Sequence, residues 1–184
     1  LEAQAYRLAY WRTAADEINY RRFFDVNELA ALRTERKDVF EATHALALDL
    51  AGRGWVDGLR IDHPDGLQDP AQYFDRLQDG FCARVGAPGC SVDVQGRPER
   101  PLYVVAEKIA APHEDVPVSW AVHGTTGYRF ANVANAVLVE HRSAARLRRI
   151  WRNFTGVTDN FEEVVYRAKR EVAGGTLASD LEVL

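Results

Sequence analysis

The hydrophobic and polar positions of the chain follow two different periods. Residues 38–50 and 70–85 have the spacing of amphipathic helices, because their apolar side chains recur every three or four positions. Two short apolar runs, residues 55–61 and 102–107, have the length and composition of buried strands. A third strand-like run covers residues 119–123. Strands that alternate with helices predict βαβ units and a parallel sheet.

Local signals add further elements to this pattern. Side chains that can cap a helix predict a short helix over residues 28–35, and the Asp-Pro pair at residues 69–70 predicts the start of the second long helix. The Gly- and Pro-rich residues 87–101 predict a loop. Helices are also expected over residues 129–152 and around residues 161–168.

The composition narrows the class of protein. A chain of 184 residues with 47% hydrophobic and 27% charged residues is typical of a soluble globular protein. The net charge of −4 argues against broad nucleic-acid binding, and the basic residues 146–152 are typical of a solvated helix face. No apolar run is long enough to predict a membrane span.

The spacing of the cysteines and histidines predicts no metal site. Cys82 and Cys90 have no metal-ligand spacing and predict no disulfide framework, which favours a reducing cytoplasm. The five histidines also lack metal-ligand spacing. The chain contains no methionine, even at its first position, so we expect it to be a segment of a longer protein.

Two carboxylates follow the two predicted buried strands. Side chains two positions apart share one face of a strand, so Arg60 lies beside Asp62 and favours its ionised form. Glu107 follows an apolar run, where burial would raise the pKa of its carboxyl. If the strands are neighbours, their ends lie about 5 Å apart, the separation of a retaining glycosidase pair. One ionised and one protonated carboxyl are what glycoside chemistry requires.

The same residues also suit structural roles. Arg60 and Asp62 could form a buried ion pair, and Glu107 with Lys108 could be an ordinary pair of charges at a strand end. From the residues alone, these two interpretations stay open.

The loops after the strands are open to two interpretations as well. His63 and Asp65 could bind sugar hydroxyls, or they could form a tight turn. His123, Thr125 and Thr126 could donate hydrogen bonds to a polyhydroxylated ligand, or they could belong to a glycine-bounded loop that precedes a helix.

Four motifs in the same order resemble one known family. They read INYRRFF at residues 18–24, GLRIDHPDGL at 58–67, EKI at 107–109 and VHGTTGY at 122–128. In this combination the chain resembles the maltooligosyltrehalose synthases of the α-amylase clan. The resemblance covers residues 10–128 and continues more loosely to Leu184.

The resemblance implies a fold, a reaction and site residues. Members of the family have a (β/α)8 barrel and convert the reducing-end α-1,4 linkage of a maltooligosaccharide into an α,α-1,1 linkage, without a metal or organic cofactor. By resemblance, Asp62 is the nucleophile, Glu107 is the general acid/base and Arg60 orients the nucleophile. The residues that would line the substrate subsites are His63, Asp65, Lys108, His123, Thr125, Thr126 and Tyr128.

The expected architecture is a part of that barrel. Residues 1–128 would be the central part of the (β/α)8 barrel, and residues 129–184 a helical continuation. The third acidic residue of the clan has no match before Leu184, so the rest of a parent chain is an expected partner and the segment alone is expected to be inactive. A retaining hydrolase of the same clan and a non-catalytic α-glucan-binding domain are the alternatives; no nucleic-acid or membrane partner is expected.

Overall fold

The structure, a computed structural model, describes residues 3, 5–20, 22–23, 26–86, 99–111 and 113–183. The chain divides into two compact units, one formed by residues 1–31 with 140–184 and the other by residues 32–139. In chain order the elements are α1 (Ala14–Glu17), β1 (Arg22–Phe23), β2 (Val26–Ala30), α2 (Lys37–Gly52), β3 (Gly58–Ile61), α3 (Pro70–Val85), β4 (Tyr103–Ala106), β5 (Gly124–Thr125), α4 (Tyr128–Val137), α5 (Ala144–Thr155), α6 (Phe161–Gly174) and α7 (Ala178–Val183). Short 3-10 turns cover Trp11–Thr13, Pro64–Gly66 and His141–Ser143.

The unit of residues 32–139 contains a three-stranded parallel sheet in the order β3-β4-β5. Helix α3 lies in the connection from β3 to β4, as expected for a βαβ unit, because parallel strands need a crossover. The predicted α/β class with a parallel sheet is therefore confirmed.

The core of this unit lies on one face of the sheet. Val104 and Ala106 are fully buried there, and Leu59 and Ile61 of the neighbouring strand pack against the same cluster. The helices α2 and α3 pack against each other and contribute the rest of the cluster. Their buried apolar side chains are Phe40, Leu48, Ala51, Phe74 and Leu77. Because side chains alternate along a strand, Arg60 and Val105 lie on the opposite face of the sheet.

A buried glutamine joins α3 to the sheet. Gln78 Nε2 donates to the carbonyl oxygens of Leu102 and Ala121 at 3.0 and 2.9 Å, and Gln78 Oε1 accepts from Leu102 N at 2.9 Å. Each bond satisfies a backbone group that burial would otherwise leave unpaired. The side chain therefore fixes α3 to the start of β4 and to the segment before β5.

The signals at the ends of α3 predicted it correctly. Asp69 Oδ1 accepts from Gln72 N at 3.0 Å, and Pro70 occupies the first helical position. Gly86, with φ of 71°, ends the helix in the left-handed conformation that favours glycine. The predicted helices over residues 38–50 and 161–168 are confirmed as well.

Three predicted elements are wrong. Residues 28–35 do not form a helix, because Val26–Ala30 pair with β1 in an antiparallel hairpin, and this tertiary pairing prevails over the local capping signal. Residues 119–123 precede the strand Gly124–Thr125: residues 117–120 form a turn, with Trp120 N bonded to Pro117 O at 3.0 Å, and His123 N donates to Val104 O at 2.7 Å. The apolar character of residues 120–122 reflects burial. The single helix over residues 129–152 is two helices separated by a 3-10 turn.

Among its described residues, the other unit contains the hairpin β1-β2 and four helices. Arg22, from the first of the four motifs, is buried, forms an ion pair with Asp180 and donates to the carbonyl oxygen of Thr176 at 3.2 Å. These bonds tie the hairpin to α7 and to the residues before it. The predicted division into residues 1–128 and 129–184 does not coincide with the two compact units, and as a statement about a longer barrel it stays a prediction.

Two findings bear on the environment of the protein. Within the described residues, no helix is long and apolar enough to cross a membrane. Cys82, near the end of α3, is disulfide-bonded, which the sequence analysis did not predict. The cysteine content therefore no longer supports a reducing compartment. The predicted loop at residues 87–101 lies mostly outside the described residues.

Candidate active site

Asp62 and Glu107 occupy equivalent positions at the ends of neighbouring strands. Arg60 pairs with Val105 in the parallel register, and Glu107 N donates to Ile61 O at 2.8 Å, so the ladder continues one residue past each strand. The carboxyl ends of parallel strands are where α/β folds place their ligands. The register thus directs both carboxyl groups to the face of the sheet opposite the core.

One guanidinium contacts both carboxyl groups. Arg60 Nη1 lies 3.2 Å from Asp62 Oδ1, and Arg60 Nη2 lies 3.0 Å from Glu107 Oε1. The prediction that Arg60 lies beside Asp62 is confirmed. Its second contact was not expected from the sequence. A fork of two nitrogens matches two oxygens from different side chains, so Arg60 holds the pair together.

The environment of Asp62 favours its ionised form. The hydrogen bond with the Glu107 carboxyl is the largest cause that lowers the pKa of Asp62, and the charge of Arg60 lowers it further. The arrangement therefore supplies an ionised carboxylate, Asp62, next to a second carboxyl group at the same edge of the sheet.

Glu107 accepts hydrogen bonds from two polar groups, which the apolar run before it did not predict. Its Oε1 accepts from Tyr128 OH at 3.2 Å, and its Oε2 accepts from His63 N at 3.3 Å. The apolar neighbours that suggested burial, Val104 and Ala106, point to the core on the other face of the strand. The side chain of Glu107 is nevertheless only 21% exposed.

His63 begins a tight turn after β3. Its φ of 45° places it in the left-handed region, and Pro64–Gly66 follow as a 3-10 turn. A methyl group at Gly66 would come within 2.7 Å of His63 Cδ2, so the imidazole requires glycine at that position. The turn interpretation of residues 63–66 is confirmed, and the turn aims a backbone N–H at Glu107.

Two residues expected to bind substrate form an ion pair with each other. Lys108 Nζ lies 3.0 Å from Asp65 Oδ2 and 2.6 Å from Glu114 Oε1. Glu114 was not found from the sequence, because nothing in its local pattern links it to Lys108. Glu114 is thus a neighbour of the candidate site that sequence reasoning missed.

The residues around β5 divide between the two faces of the sheet. Thr125 pairs with Ala106, which faces the core, whereas Thr126 follows at the level of Glu107, with Thr126 N bonded to Ala106 O at 3.1 Å. The Thr126 hydroxyl is buried and has no hydrogen-bond partner among the described residues. His123 Nδ1 accepts from Val104 N at 3.2 Å, so that nitrogen is engaged with β4. The sequence-predicted residues that meet at the carboxyl pair are thus Arg60, His63 and Tyr128, with Thr126 beside them by register.

Comparison with known proteins places this site in context. No family model matches the chain. Two strains of Mycobacterium tuberculosis have a curated relative named "Putative maltooligosyl trehalose synthase", which is 32% identical over 183 residues. The match covers 100% of this chain and 21% of that relative. The chain therefore spans about a fifth of the length of the curated relatives that it matches.

Solved structures give the same result. The maltooligosyltrehalose synthase from Arthrobacter ramosus is 38% identical with a TM-score of 0.79, over 97% of this chain and 21% of that one. A hypothetical maltooligosyl trehalose synthase from Sulfolobus tokodaii is 31% identical with a TM-score of 0.76, over 99% of this chain and 22% of that one. The resemblance found in the four motifs is confirmed: in sequence and in fold, this chain corresponds from end to end to one segment of the maltooligosyltrehalose synthases.

Proposed function

We propose that this chain is a segment of a maltooligosyltrehalose synthase and that its parallel sheet is part of a (β/α)8 barrel. Support comes from the similarity over the whole chain and from the position of the carboxyl pair at the carboxyl ends of parallel strands, where barrels place their active sites. The remaining strands, and a third catalytic carboxylate, would come from the rest of the parent chain.

The parent enzyme would convert the reducing-end α-1,4 linkage of a maltooligosaccharide into an α,α-1,1 linkage. One observation carries this proposal: a single guanidinium, that of Arg60, holds Asp62 and Glu107 together at adjacent strand ends. Such closeness suits a retaining mechanism, in which one carboxylate attacks the sugar directly and no water needs to fit between the pair.

In the first step, ionised Asp62 attacks C1 of the glucose next to the reducing end. The bond from C1 to O4 breaks as Glu107 donates its proton to O4, which leaves a covalent glycosyl-enzyme and a free glucose. The glucose then turns within the site, and ionised Glu107 takes the proton from its anomeric hydroxyl. That oxygen attacks C1 and releases Asp62, so no water or redox partner is consumed.

The neighbouring side chains would support these steps. Arg60 favours ionised Asp62, while Tyr128 and the His63 N–H act on Glu107. The Thr126 hydroxyl is buried, lacks a hydrogen-bond partner among the described residues and lies at the level of Glu107. We assign subsite contacts to His63, Thr126 and Tyr128 from their place beside the carboxyl pair, and to His123 and Thr125 from the family resemblance.

The proposed chemistry uses carboxyl groups alone and requires no metal or organic cofactor. Its ligand would be a maltooligosaccharide. A cytoplasmic location stays a prediction from the sequence, and the disulfide of Cys82 removes one of its supports.

The proposal can be tested in the full-length parent protein with maltopentaose as the substrate. The expected product is a non-reducing maltooligosyltrehalose. Glu107→Gln should lower kcat about 10²–10⁴-fold, and Asp62→Asn should abolish activity, whereas Asp57→Asn, at an exposed aspartate just before β3, should not. Release of reducing sugars would indicate a hydrolase, and binding without turnover would indicate a non-catalytic domain; either result would overturn the proposal.

A further inference from the structure

The side chain of Lys108 lies between two loops that flank the site. It is 11% exposed, and its ammonium contacts Asp65 in the loop after β3 and Glu114 in the loop after β4. Three carboxylate oxygens surround Nζ: Asp65 Oδ1 at 3.1 Å, Asp65 Oδ2 at 3.0 Å and Glu114 Oε1 at 2.6 Å. An ammonium has three N–H donors, so each donor has a partner.

Both carboxylates belong to ordered turns. Asp65 lies in the 3-10 turn of residues 64–66, which Gly66 N closes on His63 O at 3.0 Å. Glu114 Oε2 accepts from Ala111 N at 3.1 Å, and Glu114 N donates to Ala111 O at 2.9 Å. The ammonium therefore joins two turns that are already fixed locally.

The ion pairs of Lys108 restrain the position of Glu107 in two ways. Lys108 directly follows Glu107 in the chain, so its ion pairs hold the backbone that carries the Glu107 side chain. The turn that contains Asp65 starts at His63, whose N–H donates to Glu107 Oε2 at 3.3 Å. A shift of either turn would move the carboxyl or one of its hydrogen-bond donors.

We propose that Lys108, Asp65 and Glu114 form a clamp that positions Glu107 for proton transfer, and that Lys108 does not bind the substrate. The resemblance had assigned Lys108 and Asp65 to the subsites. A sugar hydroxyl could reach the ammonium only by displacing one of its carboxylate partners. The effect on catalysis rests on the proposed function, because it assumes that Glu107 is the acid.

The ion pair of Lys108 with Glu114 persists across neutral pH. The hydrogen bond with Glu114 raises the pKa of Lys108, and the hydrogen bond with Lys108 lowers the pKa of Glu114. Both shifts widen the pH range in which the ion pair exists. The clamp should therefore add no pH dependence of its own near neutral pH.

Steady-state kinetics of the full-length parent protein test the proposal. Lys108→Met and Glu114→Gln should each lower kcat about 10- to 100-fold with KM within about twofold, because a small misplacement of a catalytic group costs this much. The double variant should be no worse than Lys108→Met, since the two residues act together. Lys37→Met, at an exposed lysine paired with Glu41, is the matched control and should be neutral.

A substrate whose leaving group needs no acid tests the role of Lys108 more specifically. An α-maltooligosyl fluoride needs little protonation as its first bond breaks, so the defect of Lys108→Met in kcat/KM for fluoride release should fall to within about threefold of the parent protein. A general structural defect would persist with this substrate. A rise in KM at unchanged kcat, or a defect in Lys108→Met that Glu114→Gln does not share, would identify Lys108 as a substrate ligand and overturn the proposal.

Hydrogen exchange without substrate separates the clamp from the proposed reaction. In Lys108→Met, the amides of His63, residues 65–67, Ala111, His113 and Glu114 should exchange faster, while the amides of α3 should not change. Unchanged exchange in residues 63–67 would overturn the clamp even if the reaction is correct. If Asp62→Asn stays active, the proposed function fails and the exchange result still decides the clamp. Asp65→Asn, a milder change, gives the same measurement if Lys108→Met does not fold.

Discussion

Helices α3 and α5 have similar apolar stripes but opposite burial. In α3, Phe74 and Leu77 are fully buried against the sheet of their own unit. In α5, apolar side chains recur at residues 147, 150, 151 and 154, yet no described side chain of the helix is buried, and Phe154 is 87% exposed. The comparison teaches that periodicity predicts which face of a helix is apolar but not what covers that face.

The difference should appear in stability, because burial and not the pattern supplies the free energy. Each apolar side chain of α3 that leaves the core loses contacts on all sides. The matching side chain of α5 loses few within this chain. Substitutions of the same chemistry in the two helices therefore measure the contrast directly.

The largest effect is expected for Phe74→Ala compared with Phe154→Ala. Phe74→Ala should lower the free energy of unfolding of the chain by about 3–5 kcal/mol, because it leaves a cavity in a packed core. Phe154→Ala should change it by less than about 0.5 kcal/mol. Urea unfolding monitored by circular dichroism gives both values, and equal values for the two variants would contradict the comparison.

Gln78→Leu should have the next largest effect. The variant keeps the volume of the side chain but leaves three buried backbone groups, on Leu102 and Ala121, without partners. The expected loss is about 2–4 kcal/mol in the free energy of unfolding. Gln72→Leu, on the exposed side of the same helix, is the control and should cost less than about 0.5 kcal/mol. A neutral Gln78→Leu would mean that these bonds do not hold α3 to the sheet.

The N-terminal caps of the buried helix α3 and the exposed helix α6 should contribute equally to the free energy of unfolding. Asp69 Oδ1 caps α3 at 3.0 Å, and Asn160 Oδ1 caps α6 at 2.8 Å, each through one backbone N–H. Because a cap acts within its own first turn, Asp69→Ala and Asn160→Ala should each cost about 1 kcal/mol in urea unfolding. A difference above about 1 kcal/mol would show that tertiary packing also decides the worth of a cap.

The smallest effect concerns pH. Burial lowers the pKa of His44, whose Nε2 lies 2.7 Å from Tyr73 OH, while burial raises the pKa of Tyr73 to about 12. Below pH about 6.5, His44 takes up a proton in the unfolded chain, whereas burial disfavours its protonated form in the folded chain. The free energy of unfolding therefore falls as the pH drops below that value. Urea unfolding at pH 7.5 and 5.5 should show a larger loss for the parent chain than for His44→Gln. An equal loss in both would exclude His44 as the cause.

The parts of the fold that sequence predicted are those with local causes. The Asp69-Pro70 start and the Gly86 end of α3 are set by neighbours in the chain, and the apolar runs before Asp62 and Glu107 are strands. The hairpin strand β2 was missed because its pairing with β1 is a tertiary contact. Residues 119–123 were misread as a strand because the buried residues 120–122, which precede β5, give the same apolar signal.

The contacts of the candidate site also divide into those with a local sequence signal and those that depend on tertiary structure. The position of Arg60 beside Asp62 can be predicted from sequence, because side chains two positions apart on a strand share one face. The contact of Arg60 with Glu107 depends on the register of two strands, and the pairing of Lys108 with Glu114 depends on the path of a loop. Neither of these has a short-range signal. Sequence therefore identified the chemical groups but not the way in which they hold one another.

The central claim is that Asp62 becomes covalently bound to the sugar while Glu107 carries the proton. The most direct measurement is to treat the full-length parent protein with 5-fluoro-α-D-glucosyl fluoride, digest it and determine by mass spectrometry which peptide has gained a glycosyl group. The account predicts the label on the peptide that contains Asp62 and no label in Asp62→Asn. A label on a different carboxylate, or equal labelling of Asp62→Asn, would contradict it.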